Sequence, residues 1–252
     1  MTMRDFEMTI PLFRVDDVKY SVGVVPVIKG VSFALSQGEA LIIAGRTGCG
    51  KSILLEICAG LRLPQAGKIF WEGKCITEYT REELGEARQR TGFVFQKHAL
   101  IHNLNIFDNI ALPLRYHLIL TEKEIRVRVK RLMEELGLFD VDRKFPNELS
   151  SGQKKCASLA RALIMDPCII FADEPTAGVD PYTEACITNV INHVRSEKQP
   201  AIIMLCNDIQ TIRSMHCPIK ILDNGKLIDP RTEPSSDDEV RPAILKTFQE
   251  ML

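Results

Sequence analysis

The sequence lacks a run of apolar residues long enough to cross a membrane. Its longest apolar stretches, ALIIAG, CIIFA and AIIMLC, fall far short of the roughly 18 residues that a spanning helix needs. The opening residues, MTMRDFEMTIPLF, contain no sustained apolar segment of the kind found in secretory signal peptides. We therefore expect the chain to lie in the cytosol and to reach a membrane only through a partner.

An excess of one charge and closely paired cysteines are also missing. Lys and Arg total 32 against 33 Asp and Glu, so the net charge is −1 and no nucleic-acid partner is expected. The eight cysteines form no C-x-x-C pair and stand mostly in apolar stretches, which favours reduced thiols over disulfides or a metal site. With 45% hydrophobic residues, a chain of 252 residues can fill the core of a large globular domain.

A glycine-rich segment is the most informative feature that is present. Residues 45–52, here called the phosphate loop, read GRTGCGKS between the apolar run EALIIAG and the helix-like ILLEICAGL. Its glycines bring backbone N–H groups onto phosphate oxygens, Lys51 neutralises the β/γ charge, and the Ser52 hydroxyl faces Mg²⁺. The dipole of the following helix favours the same anion. The pattern predicts a nucleoside triphosphate site made of Gly45, Arg46, Thr47, Gly48, Cys49, Gly50, Lys51 and Ser52.

Cys49 has two interpretations within this loop. Neighbouring N–H groups and Lys51 would lower the pKa of its thiol and make it reactive. Alternatively, Cys49 is a spacer with no chemistry of its own.

A second segment supplies the carboxylates that such a site requires. Residues 168–174 read CIIFADE, an apolar strand that ends in two acidic side chains. Asp173 is predicted to hold Mg²⁺ together with Ser52, and Glu174 to polarise the attacking water. The competing interpretation, a strand ending in a solvated turn, would leave the phosphate loop without its carboxylates.

Strand patterns dominate the early part of the chain. Segments 6–18 and 27–35 indicate an antiparallel β layer that leads through EALIIAG into the phosphate loop. After the loop helix, AGKIFWEGKCI indicates a further pair of strands bounded by glycines.

From about residue 99 to 165 the pattern is helical. The segment TEKEIRVRVKRLMEELGL opens with a capping box of Thr121 and Glu124 and ends at Gly137. Its apolar residues recur at helical spacing, at Ile125, Val129, Leu132 and Leu136.

After Met165 strands and helices alternate. CIIFAD, AIIMLC and PIKILD indicate strands, with helices at about 181–197 and in DIQTIRSM, which implies a parallel sheet. Asn224-Gly225 predicts a type I′ hairpin that adds an antiparallel edge strand. Beyond it, PRTEPSSDDE indicates a linker and VRPAILKTFQEML a terminal helix.

The segment LSSGQ at residues 149–153, here called the signature segment, opens another predicted helix. Its small residues present N–H groups that suit a phosphate, although the same pattern also suits an ordinary helix cap. Either interpretation is open when the segment is taken alone.

Taken together, these three segments resemble the ATP-binding cassette family of transporter ATPases, from about Phe6 to Asp229. GRTGCGKS looks like the Walker A motif, CIIFADE like the Walker B motif with catalytic Glu174, and LSSGQ like the family signature. The resemblance implies an α/β P-loop NTPase with a mixed, mainly parallel sheet, an antiparallel β layer and an inserted helical subdomain at about 99–165. The ATPase domain would span 1–230, followed by a linker and C-terminal helix at 231–252.

The resemblance also implies roles for single residues. Tyr20 would stack on adenine, although an ordinary strand tyrosine is the alternative, and Gln96 would contact Mg²⁺ and the attacking water. Residues 177–180 match the segment that crosses the dimer interface, and Asp180 belongs to it. Because two cassettes sandwich ATP in this family, we expect a homodimer in which one chain's signature segment faces the other's phosphate loop. The signature residues expected there are Ser150, Ser151, Gly152 and Gln153.

Asn207 departs from the family pattern, which has histidine after the last core strand. Asparagine can donate a hydrogen bond but cannot carry a positive charge or shuttle a proton. We expect ATP binding to survive and hydrolysis to slow by about one to three orders of magnitude, as for the loss of one transition-state donor. A slow or non-hydrolysing regulatory nucleotide binder is the alternative.

The segment HALIHNLNIFDNIALPLRYH resembles the ATPase subunits of Mla/MCE-type phospholipid transporters. That resemblance implies an integral membrane permease, an MCE lipid-binding protein as a further partner, and a peripheral place on the cytoplasmic face of the inner membrane. Cassettes that act in lipoprotein release and cell division share part of this sequence pattern. Soluble cassettes acting on ribosomes or DNA usually have two cassettes or long coiled-coil insertions, which this chain lacks.

The apolar residues of the same segment have two interpretations. They form either a groove for a helix of the membrane partner or, for most of them, the core of the helical subdomain. The residues concerned are Ile101, Leu104, Ile106, Phe107, Ile110, Leu112 and Leu114.

Overall fold

The computed structural model describes residues 10–117 and 120–230, which contain ten strands and seven α-helices. In chain order they are β1 (Phe13–Val22), β2 (Val25–Leu35), β3 (Ala40–Ala44), α1 (Lys51–Cys58), β4 (Ala66–Trp71), β5 (Lys74–Cys75), α2 (Arg81–Gln89), β6 (Thr91–Val94), α3 (Ile106–His117), α4 (Glu122–Glu135), α5 (Ser151–Leu163), β7 (Ile169–Asp173), α6 (Pro181–Lys198), β8 (Ala201–Leu205), α7 (Ile209–Met215), β9 (Ile219–Asp223) and β10 (Lys226–Ile228). The start of the first predicted strand and the predicted C-terminal linker and helix at 231–252 lie outside the described residues.

The first sheet is antiparallel, with strand order β2-β1-β4-β5. Alternate residues of its strands face the core, as in a sheet with one buried face. Phe13, Ile69 and Trp71 are fully buried there, and the Trp71 indole N–H donates to the Cys58 carbonyl at the end of α1 (3.1 Å). The predicted antiparallel layer and the strand pair after α1 are both confirmed.

The second sheet has strand order β10-β9-β3-β8-β7-β6, and all its neighbours are parallel except β10. Every residue of β3, β7 and β8 is buried, as expected for strands that are covered on both faces. Asn224 (φ 46°) and Gly225 (φ 80°) have the left-handed conformations of a type I′ turn. The parallel sheet and its antiparallel edge are therefore as predicted.

Helices α3, α4 and α5 follow one another in the region that was predicted to be helical. Thr121 caps α4 by accepting from the Glu124 N–H (3.3 Å), and the Glu124 carboxylate accepts from the Thr121 N–H (2.8 Å). Gly137, which follows α4, has φ 65°, so this helix begins and ends as predicted. Within the described ranges, no helix combines the length and apolarity that crossing a bilayer requires.

The apolar residues of the α3 region are mainly core. Ile106, Ile110 and Leu114 are fully buried in the cluster that also contains α4 and α5 residues. Half-buried or exposed positions are left at Leu104, Phe107, Leu112 and Ile101. The core interpretation is correct for the buried members of the set.

The parallel sheet brings the predicted site residues to one edge. Gly45 follows β3, Gln96 follows β6, Asp173 ends β7, and Asn207 follows β8. Because parallel strands end at the same side of a sheet, their following loops form a crevice in which ligands of α/β proteins commonly bind.

Candidate nucleotide site

The phosphate loop connects β3 to α1 in conformations that favour glycine. Gly45, Gly48 and Gly50 have φ values of 152°, 82° and 103°. Gly50 is the N-cap of α1, where no side chain occupies the first N–H groups. A Cβ atom on Gly50 would lie 2.4 Å from Cγ1 of Val27. The helix N-terminus is thereby left open for an anion, and the loop cannot accept a side chain at this position without rearrangement.

Lys51 is buried within its own loop, with a relative exposure of 6%. Its ammonium group donates to the carbonyls of Gly45 (2.6 Å) and Arg46 (3.1 Å), while Arg46 and Thr47 themselves are exposed. These two bonds hold the start of the loop against its end. The ammonium lies next to the open helix N-terminus, where it can exchange carbonyl oxygens for phosphate oxygens.

Asp173 and Ser52 form an oxygen-rich pair that suits Mg²⁺. Asp173 is only 9% exposed, and its Oδ1 atom makes no hydrogen bond to any described residue. Burial raises the pKa of Asp173, whereas its interaction with the Ser52 hydroxyl opposes the rise. A buried carboxylate oxygen without a partner requires an explanation, and a hard cation with hydroxyl and carboxylate ligands supplies one.

Glu174 and Gln96 are in direct contact, while their predicted roles toward Mg²⁺ and water stay predictions. The Gln96 side-chain amide donates to the Glu174 carboxylate (Nε2 to Oε2, 3.0 Å). Glu174 has φ 47°, a left-handed conformation that costs a residue other than glycine on the order of 1–3 kcal/mol. Such strained conformations concentrate at functional sites, where the surrounding structure holds them in place.

Asn207 contacts the phosphate loop directly. Its Oδ1 atom accepts a hydrogen bond from the Gly45 N–H (3.0 Å). The other side of the amide is a donor, which suits a phosphate oxygen. The sequence placed Asn207 in the site, but it gave no sign of this bond to the start of the loop.

The signature segment forms the predicted N-terminus of α5. Ser150 Oγ accepts from the Gln153 N–H (3.2 Å), and Gln153 Oε1 accepts from the Ser150 N–H (3.1 Å). These two bonds close a capping box, so the helix-cap interpretation is correct. Ser151 is exposed beside the cap, whereas a Cβ atom on Gly152 would lie 3.1 Å from Thr183. The partner-facing role of these residues stays a prediction.

Tyr20 lies on β1 within reach of a cation from the segment after α1. The Arg62 guanidinium lies 5.3 Å from the centre of the Tyr20 ring and donates to its hydroxyl (2.9 Å). Arg62 also pairs with Glu56 of α1 (2.8 Å). The tyrosine is therefore held by more than strand packing, and its stacking on adenine stays a prediction.

Asp180 serves as the N-cap of α6. Its carboxylate accepts from the Thr183 N–H (3.0 Å) and from the Thr183 hydroxyl (2.6 Å). These bonds hold the pKa of Asp180 below its usual value. The predicted nucleotide contact of Asp180 would come in addition to this capping role.

Of the two interpretations of Cys49, the structure disfavours the reactive thiol of lowered pKa. Burial raises the pKa of Cys49, although the Lys51 charge and backbone N–H groups act in the opposite direction. The spacer interpretation fits better. All eight cysteines are free thiols, four of them buried and four half-buried.

Lys155 is a site residue that the sequence reasoning missed. Its ammonium group donates to the Glu174 carbonyl (2.6 Å), and the side chain is only 6% exposed. The available signal was helical spacing, because Lys155 shares one face of α5 with the buried residues Gly152 and Leu159. A lysine on a buried helical face calls for an acceptor.

Comparisons with known proteins agree with this geometry. A family model described as ABC transporter matches residues 28–177. The methionine import ATP-binding protein MetN 2 of Pseudomonas entomophila is 31% identical over 227 residues, which are 90% of this chain and 66% of that protein. The probable ribonucleotide transport ATP-binding protein mkl of Mycobacterium tuberculosis is 36% identical over 228 residues, which are 90% of this chain and 64% of that protein. The chain thus spans about two thirds or less of the length of these curated relatives.

Solved structures show the same fold. The ATP-binding cassette MJ0796, in a dimeric post-hydrolysis state bound to ADP and Pi, is 29% identical to this chain. The two superpose with a TM-score of 0.79 over 85% of this chain and 96% of that cassette. On that fold, this chain carries the phosphate loop, the paired carboxylates and the capped signature helix. With the family match across 28–177, they show that the chain belongs to the ABC transporter family.

Proposed function

We propose that this chain is the ATP-binding and ATP-hydrolysing subunit of a membrane transporter. The observation that carries the proposal is the meeting of three strand ends. Glu174, held by Gln96, stands next to Asp173, whose carboxyl group interacts with the Ser52 hydroxyl and keeps one oxygen without a hydrogen bond among the described residues. A phosphate cradle with a metal-ligating carboxylate and a second carboxylate for water is the constellation that phosphoryl transfer to water requires.

Each residue of the site has a separate task in this proposal. Ser52 and Asp173 would hold Mg²⁺, which would supply positive charge to the phosphates when bound. Lys51 adds a second charge from within the loop. Glu174 accepts a proton from a water whose oxygen bonds to the γ-phosphorus while the bond to the β–γ bridging oxygen breaks, and ADP and phosphate leave. Asn207 donates a hydrogen bond to the γ-phosphate.

We propose further that two copies of the chain close around ATP. The exposed Ser151 at the start of α5 supports this, because a surface serine beside a helix cap is accessible to a ligand held by another copy. The similarity to a dimeric cassette bound to ADP and Pi supports it as well. The composite site would then use the signature segment and Asp180 of the partner copy.

The membrane partner would bind the helical region at 99–165. Leu104 and Phe107 leave half-buried apolar surface there, eight and eleven residues after Gln96 in the chain. An integral permease that presses on this region would reach the Glu174 water through the Gln96 bond. The division into a cassette of residues 1–230 and a C-terminal linker and helix at 231–252 belongs to the same proposal, as does a peripheral position on the cytoplasmic face of the membrane.

For the transported substrate we propose phospholipid, with an MCE lipid-binding protein as a further partner. The support is the resemblance of residues 98–117 to Mla/MCE-type ATPase subunits. The relatives named above carry methionine and ribonucleotide in their names, so these are the competing substrates. Purification of the chain with its permease and mass spectrometry of the bound molecules would distinguish lipid from methionine or nucleotide.

The central experiment compares phosphate release by the full chain with that of Glu174→Gln. We expect Glu174→Gln to lose at least about 100-fold in turnover, as for removal of a general base, while it still binds ATP. Glu86→Gln, on the exposed face of α2, is the matched control and should behave like the unaltered chain. Equal turnover by Glu174→Gln and the unaltered chain would overturn the proposed role.

Asn207 favours a second candidate function, that of a regulatory subunit that binds ATP without hydrolysing it. A chain of this kind would form ATP-dependent dimers yet release no phosphate, even with its permease present. Phosphate release above the Glu174→Gln background rejects this candidate.

A further inference from the structure

Lys155 joins the signature helix to the hydrolytic strand of the same chain. It lies on α5 one turn after Ser151 and points inward, where its Nζ atom donates to the Glu174 carbonyl at 2.6 Å. Only 6% of its surface is exposed. A lysine so deeply buried carries a large desolvation cost unless an acceptor and negative charges compensate for it.

The surroundings of Lys155 supply that compensation. Burial lowers the pKa of Lys155, and the negative charges of Glu174 and Asp173 oppose the decrease, as does Cys206 to a smaller extent. His98 also interacts with Lys155, since the charge of Lys155 helps to lower the pKa of His98. The ammonium group therefore interacts electrostatically with both carboxylates of the site and with the segment that follows β6.

The Glu174 peptide is held at three points. Its N–H donates to the Leu205 carbonyl of β8 (3.1 Å), and its carbonyl accepts from the Ala177 N–H (3.2 Å) and from Lys155. The first two bonds come from the sheet and from the adjoining turn. Lys155 is the one charged donor among them, and a charge-assisted bond is about twice as strong as a neutral one. It acts on the residue whose left-handed conformation aims the carboxylate at Gln96.

We propose that Lys155 is a positioning residue for Glu174, which holds the glutamate backbone in the conformation that directs its carboxylate to the attacking water. This inference rests on the proposed function, because it assigns Lys155 to the same hydrolytic site. It also gives α5 a role within its own chain: a shift of the signature helix against a partner would move the Glu174 carbonyl through this bond. The buried ammonium adds a fixed positive charge to a site in which Asn207 has none.

The experiment compares Lys155→Met, Lys155→Gln and the neighbouring control Lys154→Met in the full chain. Methionine keeps the length of the side chain but removes donor and charge, whereas glutamine keeps a donor. We expect kcat of Lys155→Met to fall about 10- to 100-fold, the effect of misplacing a reacting group. KM should change less than about two-fold, because the phosphate loop is untouched. Lys155→Gln should fall between Lys155→Met and the unaltered chain.

Thermal stability separates positioning from a merely structural role. The pKa of buried Lys155 is lowered because its protonated form costs more folding free energy than its neutral form would. Removal of the charge in Lys155→Met should therefore leave the melting temperature equal or higher. A lower melting temperature with kcat and KM changed in parallel would show that Lys155 only supports the fold, and an unchanged kcat would overturn the inference outright.

Two further measurements complete the test. In the Glu174→Gln background, Lys155→Met should cause no additional loss of residual turnover; a second loss of the same size would mean that Lys155 acts elsewhere. The Glu174 carbonyl precedes Pro175, and the sequence has only one other Glu-Pro pair, at 233–234. Labelling with carbon-13 glutamate and nitrogen-15 proline therefore leaves only the NMR carbonyl signals of these two pairs. The measurement needs no bound nucleotide.

We expect Lys155→Met to move that carbonyl signal upfield, as when a hydrogen bond is lost, while Lys154→Met leaves it in place. If the unaltered chain hydrolyses no ATP and the signal still moves, the proposed function fails while the contact stands. If the signal does not move, the inference fails whatever the turnover.

Discussion

Two helices of this chain, α1 and α5, begin at segments that contain glycine and serine. Their N-termini differ in whether side chains cap the first backbone N–H groups. At α1, the N-cap is Gly50 with φ 103°, and no side chain occupies the first N–H groups. At α5, Ser150 and Gln153 satisfy each other's backbone N–H groups in a closed capping box. The first helix offers its donors to a ligand, and the second has already used part of its own.

The difference is consistent with the proposed composite site. The phosphate loop has Lys51, Ser52 and Asp173 of its own chain around an open helix end. At the start of α5, Ser151 is exposed, and Lys155, one turn later, donates to the Glu174 carbonyl. An open helix N-terminus can bind an anion through its own N–H groups, and we propose that the capped one contributes an edge to a site that another copy completes.

The largest expected effect comes from removing the positive charge at the open N-terminus of α1. Lys51→Met removes the ammonium group that binds the Gly45 and Arg46 carbonyls and that is proposed to bind the phosphates. We expect turnover to fall about 1,000-fold, the upper range for loss of one transition-state donor. Phosphate release and ATP titration measure the loss, with Lys68→Met on exposed β4 as the control. If ATP still binds with unaltered affinity, the phosphate loop is not the phosphate site.

Asn207→His tests the contribution of Asn207, which contacts the start of the phosphate loop. A neutral imidazole can accept the Gly45 N–H with one ring nitrogen, in place of Asn207 Oδ1, and donate to the phosphate with the other. We expect turnover to rise at least about 10-fold, since the histidine can also carry charge in the transition state. Asn207→Ala, which has no donor, should be slower than the unaltered chain. A histidine variant no faster than asparagine would show that Asn207 is not what limits hydrolysis.

Elements with a strong local signal were predictable from the sequence. β3, β7 and β8 are short apolar runs between turns. α4 is marked by a capping box and by apolar residues at helical spacing. β6 and α2 have no counterpart in the prediction. α2 (REELGEARQ) buries none of its residues, so it shows no apolar period, and only the capping box of Thr80 and Glu83 marks its start.

The site was predictable as a set of strand ends but not as a set of contacts. Parallel strands dictate that Gln96, Asp173 and Asn207 meet at one edge. The bonds from Gly45 to Asn207 and from Lys155 to Glu174 join distant parts of the chain and depend on the direction of each side chain, which spacing alone does not specify. The two interpretations of Cys49 stayed open for a related reason: burial raises the pKa of its thiol, and burial is a property of the fold.

The capped end should respond only when two chains meet. Ser151→Arg places a long cationic side chain on the exposed start of α5, where the partner's phosphate loop is proposed to lie. In a Glu174→Gln background with ATP, we expect the dimer dissociation constant to rise about 10-fold or more, a cost near 1.4 kcal/mol. Sedimentation measures the dimer. ATP affinity of the dilute monomer should not change, and a parallel loss of monomer affinity would place the signature segment in its own chain's site.

The smallest effect comes from opening the capped end. Ser150→Ala removes the acceptor for the Gln153 N–H and should cost about 1 kcal/mol of stability. The melting temperature would then fall by about 2–4 °C for a chain of this size. Thr121→Ala removes the equivalent cap at the start of a different helix, α4, and should cost a similar amount. If capping also sets the geometry of the composite site, only Ser150→Ala weakens the ATP-dependent dimer at matched stability. If both variants leave dimer formation unchanged, the cap stabilises α5 and nothing more, and Ser151 alone carries the contact with the partner.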